Sequence, residues 1–156
     1  MGRKGGKDWK GGKGGKGWMG RKDGIAPRYV NPRALAPPKG YSNGVSYRGE
    51  GSMLFLAGQL GWDAAGRIVS ERFEDQFDQA LANLIAVVSE AGGRPESIGK
   101  LTIFVVDRAE YVAARKTIGD RYRHRMGGHY PAMTLVEVRA LLDPHARVEI
   151  DGIAWI

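Results

Sequence analysis

Apolar residues recur along this chain with two different periods. At helical spacing, Phe73, Phe77, Leu81, Leu84, Ile85 and Val88 make one stripe, which predicts an amphipathic helix. Glu71, Glu74 and Asp75 suit the positive end of its dipole, and Gly92-Gly93 followed by Pro95 ends it. A second stripe, Tyr111, Ala114, Ile118, Tyr122 and Met126, follows Asp107-x-x-Glu110, a capping-box pattern with Asp as the cap, and stops at Gly127-Gly128. Strand-like runs cover 45–48 and 52–59, and a turn at 63–66 leads to a short strand over 67–70. Segment 101–106 reads as a buried strand, and 133–141 and 147–155, joined at Asp143-Pro144, complete the set. The order β-β-β-α-β-α-β-β predicts a single α+β domain over residues 41–156, one mixed sheet with two helices on one face. Within 133–141, Met133, Leu135, Glu137 and Arg139 share one face while Thr134, Val136 and Val138 share the other. Alternation alone leaves open which surface Met133 looks at.

Composition changes the picture mainly at the N-terminus. The net charge of +7 is unevenly spread: residues 1–40 hold 11 Lys/Arg against 2 Asp, and the remainder holds 13 Lys/Arg against 15 Asp/Glu. The domain is therefore mildly acidic, and the excess basicity belongs to the tail. With 10 Gly and 8 Lys/Arg in its first 24 residues, that tail is expected to be disordered, and Pro27, Pro32, Pro37 and Pro38 to form an extended lead into the domain. Lysines interleaved with Trp9 and Trp18 suit single-stranded RNA by charge and base stacking; a solvated tail, or a true start at Met19, accounts for them more simply. The G-x-G-x-x-G at Gly12, Gly14 and Gly17 has neither the strand nor the helix that a dinucleotide site needs. Zero cysteines exclude disulfides and thiolate chemistry, and no apolar run is long enough to span a membrane. A cytoplasmic address is the default expectation.

Candidate chemistry is sparse. His124, His129 and His145 lack metal-ligand spacing and are expected to be exposed, so no metal site is predicted. Arg121, Arg123, His124 and Arg125 fit the negative end of the second helix as a solvated cluster. Glu137 and Glu149 sit among apolar neighbours, where a carboxylate needs a partner; Glu137 has Arg139 or Arg147 available. Glu149 alternates with Val148 and Ile150; from the residues alone a structural role is the simpler account, and lining a cleft as a base or water-orienting group is the functional one.

KGYSNGV, LFLAGQLGWDAAGRIV, DQFDQALANLIAVVSEAGG, LTIFVVDRAEY, HYPAMTLVEVRAL and VEIDGIA occur in that order, and over residues 39–156 the chain resembles the RidA (YjgF) family of reactive-imine deaminases. The resemblance implies the RidA fold, of chorismate-mutase-like type, and a homotrimer with a barrel-like core of sheets and a cleft at each subunit interface. It implies hydrolysis of enamines and imines to keto compounds and ammonia with no metal or organic cofactor. Carried over by motif, Tyr41 borders the cleft, Gly58 is the glycine of the Ser-Gly-Gln segment with Ala57 in place of Ser, and Glu149 helps place the water. Met133 stands where the family's carboxylate-gripping Arg belongs. A thioether offers an apolar surface and no donor, so the resemblance implies a pocket walled by Met133 and Leu135 that takes a neutral or weakly charged small molecule. Arg115 is the first candidate for a substitute cation. The alternative is a non-enzymatic binding or regulatory module that contacts RNA through the tail.

Overall fold

The computed structural model describes residues 26–156; the expectations for the basic tail, its RNA contact, the Met19 start and the glycine motif fall on residues 1–25, outside the described ones. Among the described residues, six strands and two long helices follow in the order β1 (Arg28–Val30), β2 (Gly44–Ser46), β3 (Met53–Leu60), α1 (Phe73–Glu90), β4 (Ile98–Val105), α2 (Arg108–Met126), β5 (Ala132–Glu137) and β6 (Val148–Trp155). A four-stranded mixed sheet has the order β3-β6-β4-β5, and β1-β2 form a separate two-stranded ribbon. The β4–β5 pair is parallel, with α2 as its crossover, and the remaining pairs are antiparallel.

The two helical stripes cover one face of the sheet. Phe73, Phe77, Leu81, Leu84 and Val88 of α1 and Ile118, Tyr122 and Met126 of α2 pack with Leu56, Leu101, Ile103, Val105, Val148 and Ile150. Each large side chain fully buried in this way contributes about 1.5–3 kcal/mol. Asp107 caps α2 by accepting from Ala109 N, and the box is not completed by Glu110, which pairs with Arg147 instead. Glu137, at the end of β5, accepts from Arg108 N and supplies the second cap, so the pairing expected with Arg139 or Arg147 does not form.

Three local expectations are corrected. Residues 67–70 make a single bridge, Ile68 to Trp62, because the Asp63 carboxylate collects Ala65 N, Arg67 N and the Arg67 guanidinium into a turn. The third strand before α1 is instead β1, inside the stretch expected as an extended lead-in; its register pairs Tyr29 with Val45. The arginines ending α2 are only partly solvated: Arg121 reaches Asp75 at 2.7 Å, and Arg125 grips Asp78 through two bonds of 2.5 and 2.6 Å, tying α2 to α1.

Gln76, fully buried on α1, organises the loops at the far end of the sheet. Its amide donates to the Ser70 and His145 carbonyls and accepts from Arg147 N. Two loops distant in sequence are thereby clamped by one side chain.

Candidate functional site

The cross-strand register assigns each candidate residue to a face of the sheet. On β6, Val148, Ile150 and Ala154 enter the core, so Glu149, Asp151, Ile153 and Trp155 lie on the face away from the helices. Glu149 is opposite Phe104 on β4 and Leu60 on β3. The β3 ladder shifts register between Leu56 and Gln59, which puts Ala57 and Gly58 in an irregular step beside Glu149. A Cβ built on Gly58 would lie 1.8 Å from Glu149 Oε1 and 2.7 Å from its Cδ. Gly58 and Glu149, brought together from motifs 91 positions apart in sequence, thus form one unit: the missing side chain is the space the carboxylate occupies.

Met133 and Leu135 go to the opposite face. In the parallel register Met133 pairs with Leu101 and Leu135 with Ile103, and both pack, half-buried, against the helix-covered core. Ala132, Thr134 and Val136 are the β5 residues that share a face with Glu149. One chain does not bring Met133 and Leu135 to the Gly58–Glu149 unit. Tyr41 is exposed; its neighbour Ser42 bridges to Ala132, with Ser42 N bonded to Pro131 O at 2.9 Å and Ser42 Oγ to Tyr130 O at 2.6 Å. Tyr41 therefore sits beside the start of β5 and the Met133 half of the prediction. Arg115 is exposed on α2, on the helix side, remote in face from Glu149.

The face opposite the helices carries more than alternation had singled out. Lys100 projects from β4 onto it and donates to Thr134 Oγ1, and burial pulls its ammonium below the ordinary lysine range, with Asp151 working against the shift. Met53 and Phe55 on β3 join Ile153 there, Phe55 at 73% exposure. A cavity of about 310 Å³ opens on this face between Val45, Tyr47, Met53, Lys100, Ile153 and Trp155. The larger cavity, about 710 Å³, lies between the Gln76-clamped loops, and its wall includes Arg67, Glu71, His145 and Arg147. Neither is lined by Tyr41, Gly58, Met133, Leu135, Arg115 or Glu149. Among the described residues there is no group of acidic or histidine side chains able to hold a metal ion.

One histidine departs from expectation. His129 is 3% exposed, where a solvent position was predicted for all three. Its Nε2 lies 2.7 Å from Ile98 O and its Nδ1 2.6 Å from Tyr29 Oη, and its own carbonyl accepts from Tyr122 Oη. The sequence signal that would have found it is Tyr29, an aromatic residue set in a proline-rich lead-in.

Residues 31–156 match the family model described as endoribonuclease L-PSP. A 2-iminobutanoate/2-iminopropanoate deaminase of Salmonella typhimurium is 32% identical over 123 residues, covering 79% of this chain and 90% of that protein. A deaminase of the same description from Dermatophagoides farinae is 31% identical over 85% of this chain and 99% of its own length. Reactive Intermediate Deaminase A of Arabidopsis thaliana, a chloroplast protein, is 33% identical, and this chain spans 62% of its length. Among solved structures, a protein of unknown function of the Rid family from Yersinia pestis superposes with a TM-score of 0.73 at 32% identity, over 85% of this chain and all of that one.

Proposed function

This chain belongs to the endoribonuclease L-PSP (Rid) family, and from that premise we propose that it handles a reactive imine or a related neutral molecule at a site completed between copies of itself. The observation that carries this reading is the Gly58–Glu149 unit on one face of the sheet, with Met133 and Leu135 on the other. A site that uses both halves has to draw them from two chains, which fits a homotrimer with clefts at its interfaces. The exposed Met53, Phe55 and Ile153 give the Glu149 face the apolar character of a surface that is covered by association.

Chemically, Glu149 is the base. It takes a proton from water as the oxygen attacks the imine carbon and passes it to the nitrogen, giving a carbinolamine; it then takes the carbinolamine hydroxyl proton and delivers it to the amine as the C–N bond breaks, leaving the carbonyl compound and ammonia. Tyr41 borders the substrate, and Met133 and Leu135 give it an apolar wall. The Salmonella and Dermatophagoides relatives are named for 2-imino acids, whose carboxylate needs a cation. Met133 supplies none, and loss of one partner of such a buried charged pair costs about 2–5 kcal/mol, roughly 30- to several-thousand-fold. The substrate is therefore less anionic than a 2-imino acid.

The test is imine hydrolysis with 2-imino acids generated in situ by an amino-acid oxidase and trapped by semicarbazide. Wild type is expected to be slow and Met133→Arg faster by at least about 30-fold. A wild type already as fast as Met133→Arg would sink the assignment of Met133 to the cleft.

A further inference from the structure

Two of the contacts that hold the N-terminal ribbon to the rest of the domain lie on the short segment that leads into β5; a third, just past β2, is the bond from the Tyr47 hydroxyl to the Glu96 carbonyl. At one end, Tyr29 of β1 contacts His129, with the two rings 5.7 Å apart and tilted by 47°. At the other, Ser42 holds Tyr130 and Pro131. Between them, β1 pairs with β2, and Asn31 Oδ1 accepts from Asn43 N at 2.8 Å. Tyr41 rides on this ribbon.

The hydrogen-bond roles at His129 follow from its partners. Ile98 O can only accept, so Nε2 carries the proton facing it; in the neutral ring Nδ1 is then the acceptor for the Tyr29 hydroxyl. A second proton would land on Nδ1, between the ring and Tyr29, and would place a charge in a nearly solvent-free site. The ionisable groups packed around it are Tyr29 from β1, Tyr122 from α2, Tyr130 on its own segment and Glu96 from the turn Pro95–Ser97. Glu96 is the charged one and opposes the effect of burial, which nevertheless holds the imidazole below its ordinary range. The hydroxyl of Tyr47 bonds the Glu96 carbonyl, not its carboxylate.

We propose that the Tyr29–His129 contact is a proton-operated latch that holds the N-terminal ribbon, and Tyr41 with it, against the lead into β5. When the ribbon lifts, His129 gains water and titrates near the ordinary value of 6.5; while the ribbon is down it resists protonation. The closed form is therefore fully favoured above that value and loses ground as pH falls below it, because the open form takes up the proton more readily. Between pH 7.5 and 5.5 the opening equilibrium rises, with about tenfold as the ceiling set by a closed form that takes up no proton. The latch does not depend on imine chemistry, and its readout needs no substrate.

Amide hydrogen exchange of the full chain in its native assembly, converted to protection factors across that pH range, tests it. Protection at β1 and β2 is expected to fall on acidification, by no more than about tenfold, while α1 stays unchanged. Tyr29→Phe is expected to lower ribbon protection at pH 7.5 by about 2- to 10-fold. His129→Gln, which takes up no proton, is expected to leave ribbon protection flat with pH, whatever its level. A flat wild-type profile, a pH response retained in His129→Gln, or wild-type protection in Tyr29→Phe each overturns the latch.

Discussion

Adding one methyl group at Gly58 puts a carbon where Glu149 now keeps its carboxylate. The new Cβ would be 1.8 Å from Oε1, and ordinary contact begins near 3.4 Å, so the oxygen has to retreat by about 1.6 Å. The side chain has room to do so: Glu149 is half-buried, and Gly58 is not among the glycines with positive φ, so alanine fits the backbone. Turning one carboxylate to a poorer rotamer costs about 0.5–1.5 kcal/mol. The chemistry is less forgiving, since a misplacement of about 1 Å in a reacting constellation costs about 100-fold. Gly152→Ala is the control, because its Cβ would lie 2.6 Å from the Lys100 carbonyl, a ladder oxygen of β4 that cannot swing aside. Overpacking of that kind costs about 1–3 kcal/mol. Urea unfolding and semicarbazide-trapped imine hydrolysis, run on both variants in the wild-type and Met133→Arg backgrounds, separate the effects. Gly58→Ala is expected to stay within about 1.5 kcal/mol of its parent and lose about 100-fold in turnover, with Gly152→Ala the less stable. Turnover undiminished in Gly58→Ala, or instability matching Gly152→Ala, would refute the reasoning.

Two further expectations concern the scaffold. Gln76→Leu keeps the volume but strands the Ser70 and His145 carbonyls and Arg147 N; at about 1–3 kcal/mol for each buried unmet group, urea unfolding should register a loss of about 3 kcal/mol or more, and a loss under about 1 kcal/mol would mean that water replaces the clamp. Asp75 is held below the ordinary carboxylate range chiefly by its bond from Arg121, then by Ser70. Its contribution is fully present above the ordinary value of 3.8 and is lost as pH falls through the lowered one, so the stability gap between wild type and Arg121→Ala should narrow in acid; a gap constant from pH 6 to pH 3 contradicts the pairing.

What the sequence made legible was periodicity, and it did so best where one face of an element is buried. Both helical stripes lie on the core as their spacing predicts, and β6 alternates as expected because Glu149 and Asp151 interrupt an apolar series. In β5 the two faces were correctly separated, yet their destinations were not readable: Met133 and Leu135 on one side and Val136 on the other are all apolar, and only the parallel register with Leu101 and Ile103 decides. Residues 67–70 lost their strand to the Asp63 turn, a side-chain effect that hydropathy does not see. Strand β1 escaped notice because three exposed residues among prolines carry no period. His129 was misplaced for a related reason, since its burial is supplied by a tyrosine 100 positions away.

The division of the candidate residues between two faces of one sheet has a consequence for the cell as well as for the molecule. If the halves meet only between copies, doubling the amount of chain more than doubles the number of working sites at low abundance, since association is of higher order than synthesis. In that arrangement a defective copy would also do more than fail: by lending its Met133 side or its Glu149 side to a sound neighbour, it would spoil a site that is not its own. Dosage and dominance, usually properties of a gene, would here be written into which way two side chains point from a strand.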